Sequence, residues 1–82
     1  MKTVSIEKVN AAIDEMIYIR TLWFNEAVKS DDMQSAVLNL TSILDFITLW
    51  HSITGENYDE LIIKYYDPVK TKYENKFLKR GE

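Results

Sequence analysis

Apolar residues recur along residues 31–53, DDMQSAVLNLTSILDFITLWHSI, at the three- and four-residue intervals of a helix. Met33, Ala36, Val37, Leu40, Ile43, Leu44, Ile47 and Trp50 form one stripe. Leu38, Phe46, Leu49 and Ile53 form a second, offset from it. A surface helix needs only one apolar stripe. A helix with two is central in its domain or shared with another subunit. The pattern therefore predicts self-association through Leu38, Phe46, Leu49 and Ile53.

The flanking segments carry the same period. Ile6, Val9, Ile13, Met16, Ile17, Trp23, Phe24 and Ala27 give a first helix that starts after Ser5, a capping residue, and ends near Lys29-Ser30. Glu7 suits the positive end of its dipole. Arg20 interrupts the stripe, so it either extends along its stem to water or pairs with a buried acid. The second helix starts at Asp31 or Asp32, where Asp31 and Gln34 match a capping box. It stops at Thr54-Gly55, since Gly accepts the left-handed cap conformation. Asn57 and Glu60 repeat the capping box and open a third helix, with Tyr58, Leu61, Ile62, Tyr65 and Tyr66 inward or half inward. Asp67-Pro68 reads as a break, with Asp67 the N-cap of a fourth short helix carrying Val69, Tyr73 and Phe77, or as a kink in one helix. The expected fold is all-α: one domain over residues 1–82, an antiparallel hairpin of two long helices plus one or two short C-terminal ones, forming a small helical bundle.

Composition adds limits. Hydrophobic residues make up 46% of the chain, enough for a packed core. A chain of 82 residues buries a modest share of its surface, so its stability gains from association. With no cysteine there is no disulfide and no thiolate metal site. The N-terminus lacks the apolar run of a secretory signal. Asp45 and several hydroxyl residues interrupt the best candidate for a membrane span of ~20 apolar residues. These features predict a cytoplasmic protein with no membrane contact.

Charge is uneven. Residues 1–60 hold ten acids and four bases, −6, and residues 61–82 hold three acids and six bases, +3. The acidic body makes nucleic acid an improbable partner, because nonspecific binding rests on phosphate neutralisation. The basic end, with Lys72, Lys76, Lys79 and Arg80 clustered, is either a solvated face or a surface for an acidic partner, including a second copy.

Candidate chemistry is sparse. His51 has Ile47, Thr48, Thr54 and Gly55 at helical spacing, so no ligand set surrounds it. There is no G-x-S-x-G and no P-loop. Asp45 lies in the most apolar helix. A buried carboxylate must be paired, hydrogen-bonded or metal-bound. Arg20 or a neighbouring lysine is the expected partner, and a metal in a polar groove the alternative. The aromatic residues either fill the core or form a binding surface. Tyr65 and Tyr66 are adjacent, so one must sit at a rim near Lys64. Trp23, Tyr65, Tyr66, Lys72, Lys76 and Arg80 are the candidate partner-binding set.

The stretch from Ser42 to Arg80 resembles the second half of the all-α nucleoside triphosphate pyrophosphatases, the MazG-type enzymes and dimeric dUTPases. In that family an E-x-x-D helix runs to a Gly, a short acidic helix follows, and a segment with Lys, Asn and Arg closes the motif. Asp45 matches the D, amid Ile43, Leu44, Phe46 and Ile47. Gly55 matches the turn, Tyr58-Asp59-Glu60-Leu61 the next helix, and Lys72, Asn75 and Arg80 the basic end. Ser42 stands where the family has its glutamate, and Asp14-Glu15 is all that answers to the earlier E-E-x-x-E. The resemblance implies Mg²⁺ held by carboxylates, here reduced to Glu15 and Asp45, with Lys72 and Arg80 on the phosphates. An incomplete cage implies an inactive relative that kept the helical dimer scaffold.

The expected function is therefore regulation, inhibition or adaptation by binding another protein. No catalysis and no cofactor are expected, and the chain forms a homodimer or higher oligomer. Small accessory proteins of phages and mobile elements often have this form. The alternative is a Mg²⁺-dependent nucleoside triphosphate pyrophosphatase or nucleotide-binding relative.

Overall fold

The computed structural model describes residues 5–78, which form helices and short turns with no strand among them. Helix α1 spans Ile6–Lys29 and α2 spans Met33–Thr54. A continuous helical run then covers 58–78. It contains α3 (Tyr58–Leu61), a π-helical stretch Ile62–Tyr66, α4 (Asp67–Tyr73) and a second π-helical stretch Glu74–Leu78. The two long helices pack as an antiparallel hairpin and the C-terminal run lies along it.

The start of α1 and the end of α2 follow the sequence. Ser5 Oγ accepts from the Lys8 N–H at 3.3 Å. Gly55 takes the left-handed conformation at φ 76°, and its N–H reaches the His51 carbonyl at 2.9 Å. Nothing lies within 4 Å of a Cβ built there, so the turn needs Gly for its backbone angle and not for space. Asn57 caps α3 through the Glu60 N–H at 3.0 Å.

The turn between α1 and α2 divides two aspartates that looked equivalent. The N-cap of α2 is Asp32, whose carboxylate accepts from the Ser35 N–H at 3.1 Å and the Ser35 hydroxyl at 2.8 Å. Asp31 has φ 55° and ends α1 instead. Its N–H bonds the Val28 carbonyl at 3.1 Å, and the Asp32 N–H bonds the Ala27 carbonyl at 2.8 Å. That pair of bonds is the left-handed helix stop usually built with Gly, a conformation aspartate tolerates. Asp31 therefore forms no capping box with Gln34.

Asp67 caps nothing. The preceding residue, Tyr66, is already helical, and no side chain bonds the helix start there. Instead the chain widens to a π turn, in which the Asp67 N–H reaches back to the Ile62 carbonyl. Pro68 lacks an N–H, and in a regular helix its ring would press on the carbonyl four residues back. The wider turn carries the helix past that position.

The core is Ile13, Ile17, Phe24 and Ala27 of α1, Ala36, Leu40, Ile43, Ile47 and Trp50 of α2, and Leu61, Val69 and Phe77 of the C-terminal run. Two polar groups enter it. Buried Asn39 donates to the Ser35 carbonyl at 2.9 Å, and the Trp50 indole N–H donates to Asn10 at 2.6 Å. Several residues assigned to the inward stripes are exposed: Ile6, Met16 and Trp23 on α1, and Met33 and Val37 on α2. Tyr58 is also outside, its ring edge-on to His51 at 5.9 Å. The cause is shape. The radius of gyration is 14.3 Å, against roughly 12 Å for a compact chain of this length. An elongated three-helix bundle covers only a narrow arc of each helix.

By length and composition α2 is apolar enough to cross a membrane, contrary to the sequence expectation. One acid and scattered hydroxyls do not offset its aliphatic residues. Six of its residues, Asn39 among them, are nonetheless buried inside the bundle.

Candidate interaction surface

Two lines of residues run along α1 about half a turn apart. Asp14, Tyr18, Thr21 and Asn25 follow each other at helical spacing on one flank. That flank carries the C-terminal run. The Tyr65 hydroxyl donates to Asp14 at 2.7 Å, and Lys72 Nζ donates to Asn25 Oδ1 at 3.1 Å. Nearer the hairpin turn Lys76 pairs with Asp31 at 3.6 Å. The three contacts fall in order, so the run lies parallel to α1.

Ala12, Met16, Ile19 and Trp23 occupy the opposite flank, and all are exposed. On α2, Leu38, Leu49 and Ile53 are exposed too, and Phe46 is half-buried beside them. A shallow groove lined by Trp23, Glu26 and Ala27 of α1, Asp32 of the turn, and Ser35 and Asn39 of α2 joins the two helices on this side. The stripe of Leu38, Leu49 and Ile53 borders the Ser35–Asn39 side of α2. The hairpin thus has one face covered by the C-terminal run and one open face with six exposed large apolar side chains and a charged margin that includes Glu26 and Asp32. Trp23 is 53% exposed and Leu38 66%. On the open face the Ser42 hydroxyl donates to the Leu38 carbonyl at 2.9 Å.

The polar residues singled out from sequence are dispersed. Asp45 is exposed and forms no ion pair or hydrogen bond among the described residues, so it is not a buried acid. Arg20 does not reach it. The guanidinium lies 4.7 Å from the centroid of the Trp23 ring, a cation–π contact. The pairing fails because the apolar stripe of α2 is wider than its buried arc, which leaves Asp45 outside. Glu15 and Asp45 both lie on solvent arcs, Glu15 away from α2 and Asp45 away from α1. No group of three acids or histidines able to hold a metal occurs among the described residues. His51 is exposed, and its Nδ1 lies 2.7 Å from the Glu56 carbonyl. A carbonyl only accepts, so Nδ1 carries the proton and the ring ties down the turn after α2.

The expected partner-binding set is likewise split. Trp23 is on the open face. Tyr65 and Tyr66 are half-buried against the core on the covered side. Lys72 and Lys76 are engaged with Asn25 and Asp31, and Arg80 lies outside the described residues. Between α1 and the C-terminal run is an open pocket of about 320 Å³ beside Tyr18, Lys64, Tyr65 and Pro68. Burial first, and then the bond to Asp14, pushes the Tyr65 phenol above its ordinary value of 10.0. It is therefore a hydrogen-bond donor at neutral pH and not a base.

Sequence reasoning missed the open flank of α1. Of its large residues only Trp23 belongs to the predicted partner-binding set, and Met16 and Ile19 do not. The signal was present in the four-residue and three-residue steps from Ala12 to Trp23. Comparison with protein-family models, curated proteins and solved structures yields no match.

Proposed function

We propose that this chain acts by binding protein and carries out no chemistry of its own, as a small cytoplasmic regulator, inhibitor or adaptor. The observation that supports this is the open apolar face of the α1–α2 hairpin. Six large side chains, each with roughly 100 Å² exposed, make a patch on the order of 600 Å², at the upper end of what monomers leave in water. Aromatic and aliphatic anchors of this kind carry most of the energy of protein interfaces.

A photo-reactive phenylalanine at Leu49, with the same residue at Ile63 as control, tests the reading in the cells that make the protein. A discrete protein adduct from position 49 and none from position 63 is expected. Titration calorimetry with deoxynucleoside triphosphates and Mg²⁺ tests the opposite case. Saturable, metal-dependent heat together with no adduct at Leu49 would overturn the reading in favour of a nucleotide enzyme.

A further inference from the structure

We infer that the occupant of the open face is a second copy of this chain, so that two α1–α2 hairpins close one four-helix core with the C-terminal runs outside. This rests on the protein-binding reading above and names its first partner. Three observations carry it.

The first is area. The apolar patch and its polar rim approach the ~800 Å² per partner of a stable interface. Met16, Ile19 and Trp23 from one helix and Leu38, Leu49 and Ile53 from the other run along both sides of the face. Two such hairpins stacked face to face form the usual four-helix arrangement.

The second is charge. Of the charged groups at the face and its margin, Glu26 pairs with Lys29 and Asp32 caps α2, while Arg20 on α1 and Asp45 on α2 have no ion-pair partner within the described chain. A twofold contact puts each residue opposite a different one and repeats every pair twice. With the twofold axis parallel to the helices, α1 faces α2 of the partner at the same height. Asn10 is level with Trp50 through their hydrogen bond, so ten residues on, Arg20 is level with Leu40. Asp45 is then offset by five residues, roughly 7–8 Å. An arginine spans that distance, and the pair that fails within one chain forms between two.

The third is polarity. Ser42, at the centre of the α2 side, has its hydroxyl bonded to its own helix, so burial strands no donor.

Sedimentation of the full chain at about 100 μM gives the test. The expected mass is two chains. Leu49→Glu and Leu38→Glu should each give one chain with an unchanged helical spectrum, and two sites guard against a folding defect in either. Ile63→Glu, at an equally exposed apolar position on the C-terminal run, should leave two chains. Arg20→Asp and Asp45→Arg should each weaken association about tenfold, and the double reversal should restore it. A one-chain mass for the wild type overturns the inference, as does a two-chain mass that survives both Glu variants or is lost on Ile63→Glu. A monomer that still gives a Leu49 adduct to a different protein sinks the second copy alone and leaves the protein-binding reading standing.

Discussion

The two flanks of α1 differ in what they offer. The covered flank offers Asp14, Thr21 and Asn25, and the C-terminal run answers with Tyr65 and Lys72. The open flank offers Ala12, Met16, Ile19 and Trp23, and apart from Arg20 of the same helix over Trp23 no described contact answers them. The more apolar flank is therefore the uncovered one. The C-terminal run buries Leu61, Val69 and Phe77 against the hairpin core, and its short reach leaves the far flank of α1 uncovered. The surplus apolar surface of α1 is the part that the proposed second molecule would cover.

Neighbouring residues allow the sharpest break in that comparison. Phe24 is fully buried and Trp23 is half in water. Phe24→Ala should cost about 3–5 kcal/mol, a large part of the stability of a domain this small, read by urea unfolding. Trp23→Ala should change the stability of the dilute chain by no more than about 0.5 kcal/mol. Equal losses at the two positions would mean that the open face is covered after all.

Smaller effects probe the polar contacts. Asn10→Ala leaves the Trp50 indole N–H in a nearly closed site without an acceptor. The expected cost is about 1–3 kcal/mol in thermal or urea unfolding, and a silent substitution would show that water replaces Asn10. Tyr65→Phe removes the bond to Asp14 on the covered flank, for about 0.5–1.5 kcal/mol, and should leave the association state unchanged.

The least effect belongs to the turn. Hydrogen bonds from the Ser35 backbone and hydroxyl hold the Asp32 carboxyl below its ordinary value of 3.8. The folded form thus prefers the carboxylate. The stabilisation is complete above the ordinary value and fades as pH falls through it toward the lower folded one. A shallow loss of melting temperature below about pH 4 is expected, and Asp32→Asn should abolish Asp32's share of it while keeping the cap. An unchanged acid limb in Asp32→Asn would remove Asp32 as its source.

Some of this was legible in the residues alone. Helix boundaries at Ser5, Gly55 and Asn57 follow from local hydrogen bonding and backbone angles, which depend on a few adjacent residues. The all-α class and the hairpin follow from the 3.6-residue period. The second stripe of α2 was visible as well. Tertiary structure alone decided which stripe is covered, because burial depends on where the C-terminal run lies: Leu61, Val69 and Phe77 pack it on the core, and Tyr65, Lys72 and Lys76 meet their partners over separations of 45 residues or more. It also put Asp45 in water, set Arg20 over Trp23 and joined Asn10 to Trp50. Periodicity gives the direction of a side chain around its own helix. It does not say what stands in front of it.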